Sequence, residues 1–329
     1  MHAMQQIKTR IFVISDTHGE KCSIPETISD HIDVLIHCGD LTEGSKLAEF
    51  HTTLQLLKDI KAPLKLVIAG NHDFTLDSPM FKKKIAEVKP SLEPELVTKE
   101  YGFYGQIRQL FEEAESDGIM LLDEGNHHFE LANGASLQIY ASSYTPSTSD
   151  WGFEYRPDED HEWHIGEGTD IVITHGPPRG IFDMSDSKRI GSPSLFTAVA
   201  KARPRMHCFG HVHSGWGAKL SSWRSRAAMN EINHFTAIDN HNSATVETLA
   251  GLIKKKYDTP EIAQMKADKL RSHLDRGYVS TNHVGDPGSR TLFVNAAIKG
   301  SSDELPVQLP WMVELSLPMT RDTDTRRAR

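Results

Sequence analysis

The chain has 329 residues, of which 38% are hydrophobic and 25% charged, a composition typical of a globular protein with a sizeable buried core. Its formal net charge of −9 and isoelectric point near 6.0 argue against a protein that coats nucleic acid through a broad basic face. Three scattered cysteines do not form a disulfide framework and favour a reducing compartment. Residues 1–10 lack the apolar core of a signal peptide, and no apolar run is long enough to span a bilayer, so we expect a cytoplasmic protein without membrane contact.

Three apolar runs near the start of the chain predict buried parallel strands, because short runs rich in branched residues suit strands covered on both faces. They are Arg10–Ile14, Asp33–Cys38 and Leu64–Ala69. Between the second and third, apolar residues recur every three or four positions over Leu47–Leu57, which predicts a helix closed by Pro63. Strand, helix and strand in this order predict a right-handed βαβ unit.

The rest of the chain continues this rhythm until one long polar segment interrupts it. Further strands are expected over residues 136–141, 170–174, 205–209, 291–298 and 311–317, with a short helix over 195–202 and a loop rich in aromatic and acidic residues over 151–163. The segment at about 215–290 has one clear helix start, Thr259 as N-cap before Pro260. We expect one domain over residues 1–329, with a surface insertion at about 215–290 and a frayed tail at about 319–329.

Polar residues that can bind metals follow five of the predicted strands directly. They are Asp16, His18, Asp40, Asn71, His175, His211 and His213. Since alternate residues of a strand point to the same side, Asp16 projects with His18, and His211 with His213. The carboxyl ends of parallel strands form one edge of a sheet, where ligands bind. A doubly wound α/β domain would therefore bring these side chains together.

The chemistry of this set is that of a metal pair. Carboxylate, imidazole and amide oxygen without thiolate suit Mn, Fe, Zn or Ni and disfavour a structural zinc cage. The two oxygens of Asp40 suit a bridge between two ions ~3.5–4 Å apart, which would polarise a phosphoryl oxygen and generate a hydroxide for in-line attack. His72 lies next to Asn71, where it could protonate a leaving oxygen, while Asp73 could hold the His72 imidazole in the required tautomer.

The order of these motifs resembles that of the calcineurin-like metallophosphoesterase superfamily. The matching motifs are Asp16-Thr17-His18, Gly39-Asp40, Gly70-Asn71-His72-Asp73, Thr174-His175-Gly176 and Gly210-His211-Val212-His213. Residues 174–178 and 203–217 are similar to the subgroup of metallophosphoesterase-domain-containing (MPPED) proteins. The resemblance implies an α/β fold, a four-layer α/β/β/α sandwich, with a long insertion after the last ligand motif.

The resemblance also implies a role for each matching residue. It implies two divalent metal ions, one held by Asp16, His18, Asp40 and His213 and the other by Asp40, Asn71, His175 and His211. His72 is then the acid that contacts the phosphate, with Asp73 behind it. Such a site would act on a small phosphate-ester substrate.

Two departures from the family pattern bear on the substrate. The protein phosphatases of this superfamily carry arginines just after Gly-Asp and just before Gly-Asn-His, where this chain has Leu41 and Ala69. Small phosphodiesters or nucleotides are favoured instead of phosphoproteins. Arg179 is a candidate replacement cation for the substrate phosphate. Trp216, with Trp223, is a candidate wall or lid that contacts the leaving group.

Several functions are compatible with this site. The first hypothesis is a phosphodiesterase for small phosphodiesters, cyclic nucleotides among them. The alternatives are a phosphomonoesterase acting on a nucleotide or another small phosphate ester, and a non-catalytic metal-binding scaffold, against which the complete set of ligand positions argues. The acidic balance lowers the expectation of a nuclease or another nucleic-acid partner. The sequence leaves the oligomeric state open.

Overall fold

The computed structural model describes residues 5–20, 28, 30–225, 231–282, 284, 287–302 and 305–320. Its strands are β1 (Gln6–Ile14), β2 (Val34–His37), β3 (Leu64–Val67), β4 (Ile119–Leu121), β5 (Gly125–Glu130), β6 (Ser136–Ser142), β7 (Thr145–Pro146), β8 (Glu154–Tyr155), β9 (Ile171–Thr174), β10 (Met184–Ser185), β11 (Lys188–Arg189), β12 (Met206–Phe209), β13 (Gly217–Trp223), β14 (Ile238–Thr248), β15 (Val279–Thr281), β16 (Arg290–Asn295), β17 (Lys299–Ser302), β18 (Leu305–Val307) and β19 (Trp311–Pro318). Its helices are α1 (Leu47–Asp59), α2 (Ser78–Glu87), α3 (Pro94–Tyr101), α4 (Gln106–Glu113), α5 (Pro193–Ala202), α6 (His234–Ala237), α7 (Leu249–Leu252) and α8 (Pro260–Arg276). None of these helices is both long and apolar enough to cross a membrane.

Two large sheets form the centre of the molecule. One has the strand order β15-β19-β1-β2-β3-β4 and the other the order β14-β13-β16-β12-β9-β6-β5. In the first sheet β1 to β4 run parallel, and in the second β6, β9, β12 and β16 do. Each sheet therefore gathers the carboxyl ends of several strands at one edge. The expectation of one doubly wound sheet is wrong, because the ligand-bearing strands are divided between two.

Alternate residues of the strands pack into different layers of the core. In β1, Ile11 and Val13 face the core between the two sheets, whereas Phe12 and Ile14 pack with Phe50 of α1 on the outer face. The second sheet is covered on its outer face by α5 in the same way. Such strands are buried on both faces, which explains their unbroken apolar runs. The order of layers is helix, sheet, sheet, helix, which confirms the expected four-layer sandwich.

The polar segment at about 215–290 does not lie wholly on the surface. Its first part is β13, an internal strand of the second sheet between β14 and β16. Small side chains give β13 its polar appearance in sequence, although residues such as Ala218 and Ser221 are fully buried. The helix predicted from Thr259 is confirmed as α8, whose N-cap Thr259 accepts a hydrogen bond from the Ile262 N–H. Of the expected tail, residues 321–329 lie outside the described residues.

Trp216 belongs to the core between the sheets and not to a substrate wall. It is 1% exposed, its ring lies 5.0 Å from that of Trp311, and its indole N–H donates to the Leu309 carbonyl at 2.9 Å. Trp223 is also buried and packs on the outer face of the second sheet with Phe293. The expectation that these residues contact substrate is therefore not supported.

Truncation of Trp216 should destabilise the protein. Trp216→Ala removes a buried indole and leaves the Leu309 carbonyl without its donor, so we expect a loss of about 3–5 kcal/mol in the free energy of unfolding. Urea unfolding measures this loss. Tyr257→Ala, at a side chain 88% exposed, is the control and should change the free energy by about 0.5 kcal/mol or less. Equal stability of both variants would contradict a core role for Trp216.

Candidate metal centre

The backbone at the strand ends is strained where the predicted ligands are attached. Asp16, His18, Asp40 and His211 have φ angles of 55°, 50°, 53° and 65°, in the left-handed region that residues other than glycine rarely adopt. Each such residue costs about 1–3 kcal/mol and persists only where surrounding contacts enforce it. Here hydrogen bonds join the loop after β1 to the loop after β2. The Asp16 N–H donates to the Gly39 carbonyl and the His18 N–H to the Asp40 carbonyl.

A first cluster of ligand atoms comes from Asp16, His18 and His213, all within 4.8 Å of one another. His213 Nε2 lies 3.3 Å from Asp16 Oδ1 and 3.3 Å from His18 Nε2. Asp16 is fully buried, whereas the side chain of His213 is 26% exposed. The cluster therefore has a buried floor and an open side.

A second cluster comes from Asp40, His175 and His211, again within 4.8 Å. The amide oxygen of Asn71 joins them, 2.9 Å from His175 Nε2 and 3.0 Å from His211 Nδ1. His175 Nδ1 lies 3.0 Å from the Cys38 carbonyl. This contact orients the imidazole so that Nε2 faces the cluster, as a hydrogen bond to the second ring nitrogen does in metal sites.

The carboxylate of Asp40 lies between the two clusters. Its Oδ2 is 3.8 Å from His18 Nε2, and its Oδ1 is 3.4 Å from His175 Nε2. The side chain is almost completely buried. The structure thus brings together all seven ligand positions predicted from the sequence, in two groups that share Asp40.

Two glycines are required by the close approach of the ligands. A Cβ on Gly70 would lie 2.3 Å from Asp40 Oδ1 and 2.8 Å from His175 Cε1. A Cβ on Gly210 would lie 1.9 Å from Asp16 Oδ2. Any side chain at these positions would displace a ligand. The glycines of the sequence motifs are therefore explained by steric contact with the metal centre.

The electrostatics of the centre favour a bound cation. Burial alone would raise the pKa of Asp16, but the hydrogen bond and charge of His213 lower it to about 2. Burial would likewise raise the pKa of Asp40. The charge of His175 outweighs burial and holds the pKa of Asp40 well below its usual range. Burial lowers the pKa of His211 to about 4, which leaves this imidazole neutral and able to coordinate. Against the effect of burial, the charge of Asp40 raises the pKa of His175 to about 9, so a metal ion would displace the proton on this imidazole. Ionised carboxylates beside imidazoles that can release a proton are a set that fits divalent metal ions.

Two buried histidines support the loops that carry the ligands. His37 Nε2 lies 3.0 Å from Thr17 Oγ1, and His207 Nε2 lies 2.9 Å from Thr174 Oγ1. Both threonines are next to predicted ligands, and both imidazoles are fully buried. Burial lowers the pKa of each histidine to about 3, so both are neutral at pH 7. The sequence assigned these two histidines no role.

Asp73 is placed differently from the expectation. Its carboxylate accepts hydrogen bonds from the N–H groups of Gly70, Leu41 and Thr42 at 2.8–3.0 Å. It therefore joins the loops after β2 and β3 and does not orient the His72 imidazole. The Glu43 carbonyl takes that role, 2.5 Å from His72 Nδ1. Burial, followed by the charge of Asp40, raises the pKa of Asp73 to about 7.

Three residues at the rim of the centre were not predicted from the sequence. The Glu43 carboxylate lies 3.0 Å from His18 Nδ1 and 2.6 Å from Lys299 Nζ, and the Trp151 ring stacks on His72 at 4.3 Å. Glu43 follows the Gly39-Asp40 motif closely, and Trp151 begins the aromatic loop, so both gave a local signal. Lys299 gave none, because it lies more than 80 positions beyond the last ligand.

Arg179 lies outside this arrangement. Its side chain is exposed and lines a groove of about 1010 Å³ together with Phe196 and His234, and the lining of that groove includes none of the seven predicted ligands. A cation that does lie beside the centre is Lys299, whose Nζ is paired with the Glu43 carboxylate. A role for Arg179 in phosphate binding stays a prediction without support from its position.

Comparison with known proteins agrees with this geometry. A model of the calcineurin-like phosphoesterase family matches residues 9–215, a range that contains all seven predicted ligands. The chain belongs to the calcineurin-like phosphoesterase family. This family comparison covers the metal centre but not the segment that carries Lys299.

Individual relatives match part of this chain. Metallophosphoesterase domain-containing protein 1 of Homo sapiens is 31% identical over 216 residues, which cover 64% of this chain and 62% of that protein. Probable rhamnogalacturonate lyase C of Emericella nidulans is 29% identical over 217 residues, 65% of this chain but 18% of the lyase. The chain thus spans less than two thirds of either relative. The solved structure of TT1561 of Thermus thermophilus aligns with a TM-score of 0.40 at 11% identity, over 65% of this chain and 84% of that one.

A side chain at Gly70 should weaken metal binding. Gly70→Ala places a Cβ against Asp40 and His175, and we expect Mn²⁺ affinity to fall about 10–100-fold, the range found when residues behind metal ligands are changed. Isothermal titration calorimetry measures the affinity. Gly44→Ala is the matched control, since a Cβ there meets only side-chain atoms at 3.9–4.0 Å. Unchanged affinity in a folded Gly70→Ala protein would refute the steric argument.

Burial of neutral His207 should make the metal-free protein less stable at acidic pH. The unfolded chain takes up a proton at this histidine below about pH 6.5, whereas the folded chain does not until about pH 3. Stability is therefore lost as the pH falls between these values, by about 1.4 kcal/mol for each pH unit. Urea unfolding with chelator at pH 7 and pH 5 measures this loss. Between pH 7 and pH 5, the free energy of unfolding of His207→Gln should fall by about 2 kcal/mol less than that of the unmodified protein. Equal falls in the two proteins would contradict the argument.

Proposed function

We propose that this chain is a dinuclear metal-dependent phosphodiesterase that hydrolyses small phosphodiesters, with His72 as the general acid. Membership of the calcineurin-like phosphoesterase family supports a metal-dependent phosphoester hydrolase. The observation that carries the dinuclear proposal is the position of Asp40, whose two carboxylate oxygens face separate clusters of ligand atoms. Cyclic nucleotides belong to the proposed substrate class.

The ligands divide into two sets around Asp40. Asp16, His18, Asp40 and His213 would hold one ion, and Asp40, Asn71, His175 and His211 would hold the other. When bound, two divalent ions supply Lewis acidity to the phosphoryl group and lower the pKa of bound water. The second set can donate electron pairs to a metal ion at neutral pH. Its donor atoms include the oxygens of Asn71 and Asp40 and a nitrogen of the neutral His211.

The proton for the leaving group comes from His72. Its Nδ1–H donates to the Glu43 carbonyl, which leaves Nε2 as the ring nitrogen available for proton transfer. The His72 N–H donates to Asp40 Oδ1 at 2.9 Å, so the backbone of the acid is tied to the shared ligand. As the phosphorus–oxygen bond breaks, Nε2 of the imidazolium form gives its proton to the leaving oxygen, and the hydroxyl of a water molecule is transferred to phosphorus. The remaining proton of that water then restores the imidazolium through solvent. The products are a phosphomonoester and an alcohol.

The charge at the rim favours a diester over a monoester. Glu43, with its side chain 54% exposed, lies 3.0 Å from a predicted ligand, and Lys299 is paired with it at 2.6 Å. Glu20 lies 3.5 Å from the same lysine. A monoester carries a charge of about −1.5 to −2 at pH 7 and a diester about −1, so the acidic rim repels the monoester more strongly. A phosphomonoesterase is therefore the second choice.

Substitution of His72 tests the proposed acid. His72→Ala should lower kcat about 10²–10⁴-fold, because it removes the proton donor but no metal ligand. Turnover of diphenyl phosphate, whose phenoxide leaving group needs a proton, is measured with Mn²⁺, Ni²⁺ or Mg²⁺, together with metal content by mass spectrometry. His164→Ala, at a side chain 80% exposed, is the control with full activity.

The same assay decides between the substrate classes. Faster turnover of bis-p-nitrophenyl phosphate than of p-nitrophenyl phosphate is expected. The reverse order would assign the site to monoesters. Absence of turnover on either ester by the metal-loaded protein would favour a binding scaffold.

A further inference from the structure

We propose that Trp151 is a positioning residue that holds the His72 imidazole in the orientation needed for proton transfer. This inference rests on the proposed role of His72. Trp151 stacks on the His72 ring with a centroid separation of 4.3 Å and an interplanar angle of 28°. The Nδ1 contact with the Glu43 carbonyl constrains one edge of the ring. The hydrogen bond and the stack together restrict both the rotation and the tilt of the imidazole, and therefore the direction of Nε2.

The loop that carries Trp151 is docked on the turn that carries His72. The Gly152 N–H donates to the carbonyl of Asn71, the residue before His72, at 2.9 Å. The Phe153 N–H donates to Asp77 Oδ2, also at 2.9 Å. A Cβ on Gly152 would lie 2.7 Å from the Phe74 Cα, so only glycine permits this approach. The stack is thus part of a close contact between backbones and not a chance approach of two side chains.

The backbone conformation of the loop also indicates that contacts hold it in a defined position. Asp150 and Phe153, on either side of the contact, have φ angles of 63° and 51°. Left-handed backbone at Phe153 is unfavourable by itself and must be compensated by contacts. The Trp151 N–H donates to Glu154 Oε2 at 3.2 Å, which closes the turn around the indole.

The surroundings of the indole argue for positioning and against a platform for an aromatic leaving group. Lys84 Nζ lies 4.7 Å from the centre of the Trp151 ring, and the Phe74 ring lies 5.9 Å away. Together with His72, these groups already occupy much of the indole surface. An indole that is packed on several sides can hold an imidazole in place, whereas a substrate ring would need an open face.

Two diaryl phosphodiesters with different leaving groups test the proposal. Bis-p-nitrophenyl phosphate has a good leaving group that needs little protonation, whereas diphenyl phosphate releases a more basic phenoxide. We expect His72→Ala to slow diphenyl phosphate more than bis-p-nitrophenyl phosphate. Trp151→Ala should show the same difference, with a kcat loss of about 10–100-fold on diphenyl phosphate from misplacement of the acid.

Further variants separate positioning from other roles. Trp151→Phe should recover most of the activity, and the double variant His72→Ala/Trp151→Ala should be no slower than His72→Ala alone. Trp163→Ala is the matched control, because Trp163 lies in the same loop but donates to Ser194 Oγ. Equal losses on both substrates, a change confined to KM, or additive losses in the double variant would overturn the proposal. A change confined to KM would instead indicate a substrate platform.

Unfolding of the chelator-treated variants provides a readout that does not depend on activity. If Trp151 and His72 are coupled, the double variant is destabilised by less than the sum of the single variants. Coupling without any leaving-group effect of His72→Ala would show that the stack exists but that the proposed acid is wrong. Additive destabilisation would overturn the contact itself.

Discussion

The negative charge of two carboxylates buried at the strand ends of the two β-sheets is the constraint on which the rest of the structure depends. Asp16 and Asp40 are almost completely removed from water, and such charges are costly unless paired. Four imidazoles and an amide oxygen surround them, and the proposed metal ions complete the compensation. The glycines beside the carboxylates and the left-handed backbone at four ligands follow from this crowding. The layers of apolar side chains provide the rigidity that holds the strain.

The rim of the centre is held by contacts between loops and not by burial between layers. There the residues are partly exposed, and their positions depend on contacts between loops. Glu43 contacts His18 through its carboxylate and His72 through its carbonyl, so one residue connects a predicted ligand to the proposed acid. Trp151 holds the same imidazole from a loop that is distant in sequence, and Lys299 pairs with Glu43. The proposed chemistry thus combines a buried centre that binds cations with a rim that orients the acid and selects the substrate by its charge.

The strands and the ligands were predictable because both leave local patterns. An unbroken apolar run followed at once by Asp, Asn or His is visible without knowledge of contacts, and all seven predicted ligands, which the structure brings close together, were chosen in this way. β13 was missed because its small, polar residues do not show the burial that its central place in the sheet creates. Trp216 was misplaced for a related reason, since its nearness in sequence to His213 says nothing about the direction of its side chain.

By itself, the sequence determined five of the parallel strands and the polar side chains that follow their carboxyl ends, because strand periodicity and donor chemistry are properties of short segments. Only the tertiary structure decided that the predicted ligands form two clusters on either side of Asp40, that Asp73 joins two loops, and that Trp151 stacks on His72. These contacts join positions that are tens to hundreds of residues apart. Their geometry depends on the packing of the two sheets, which no local pattern records.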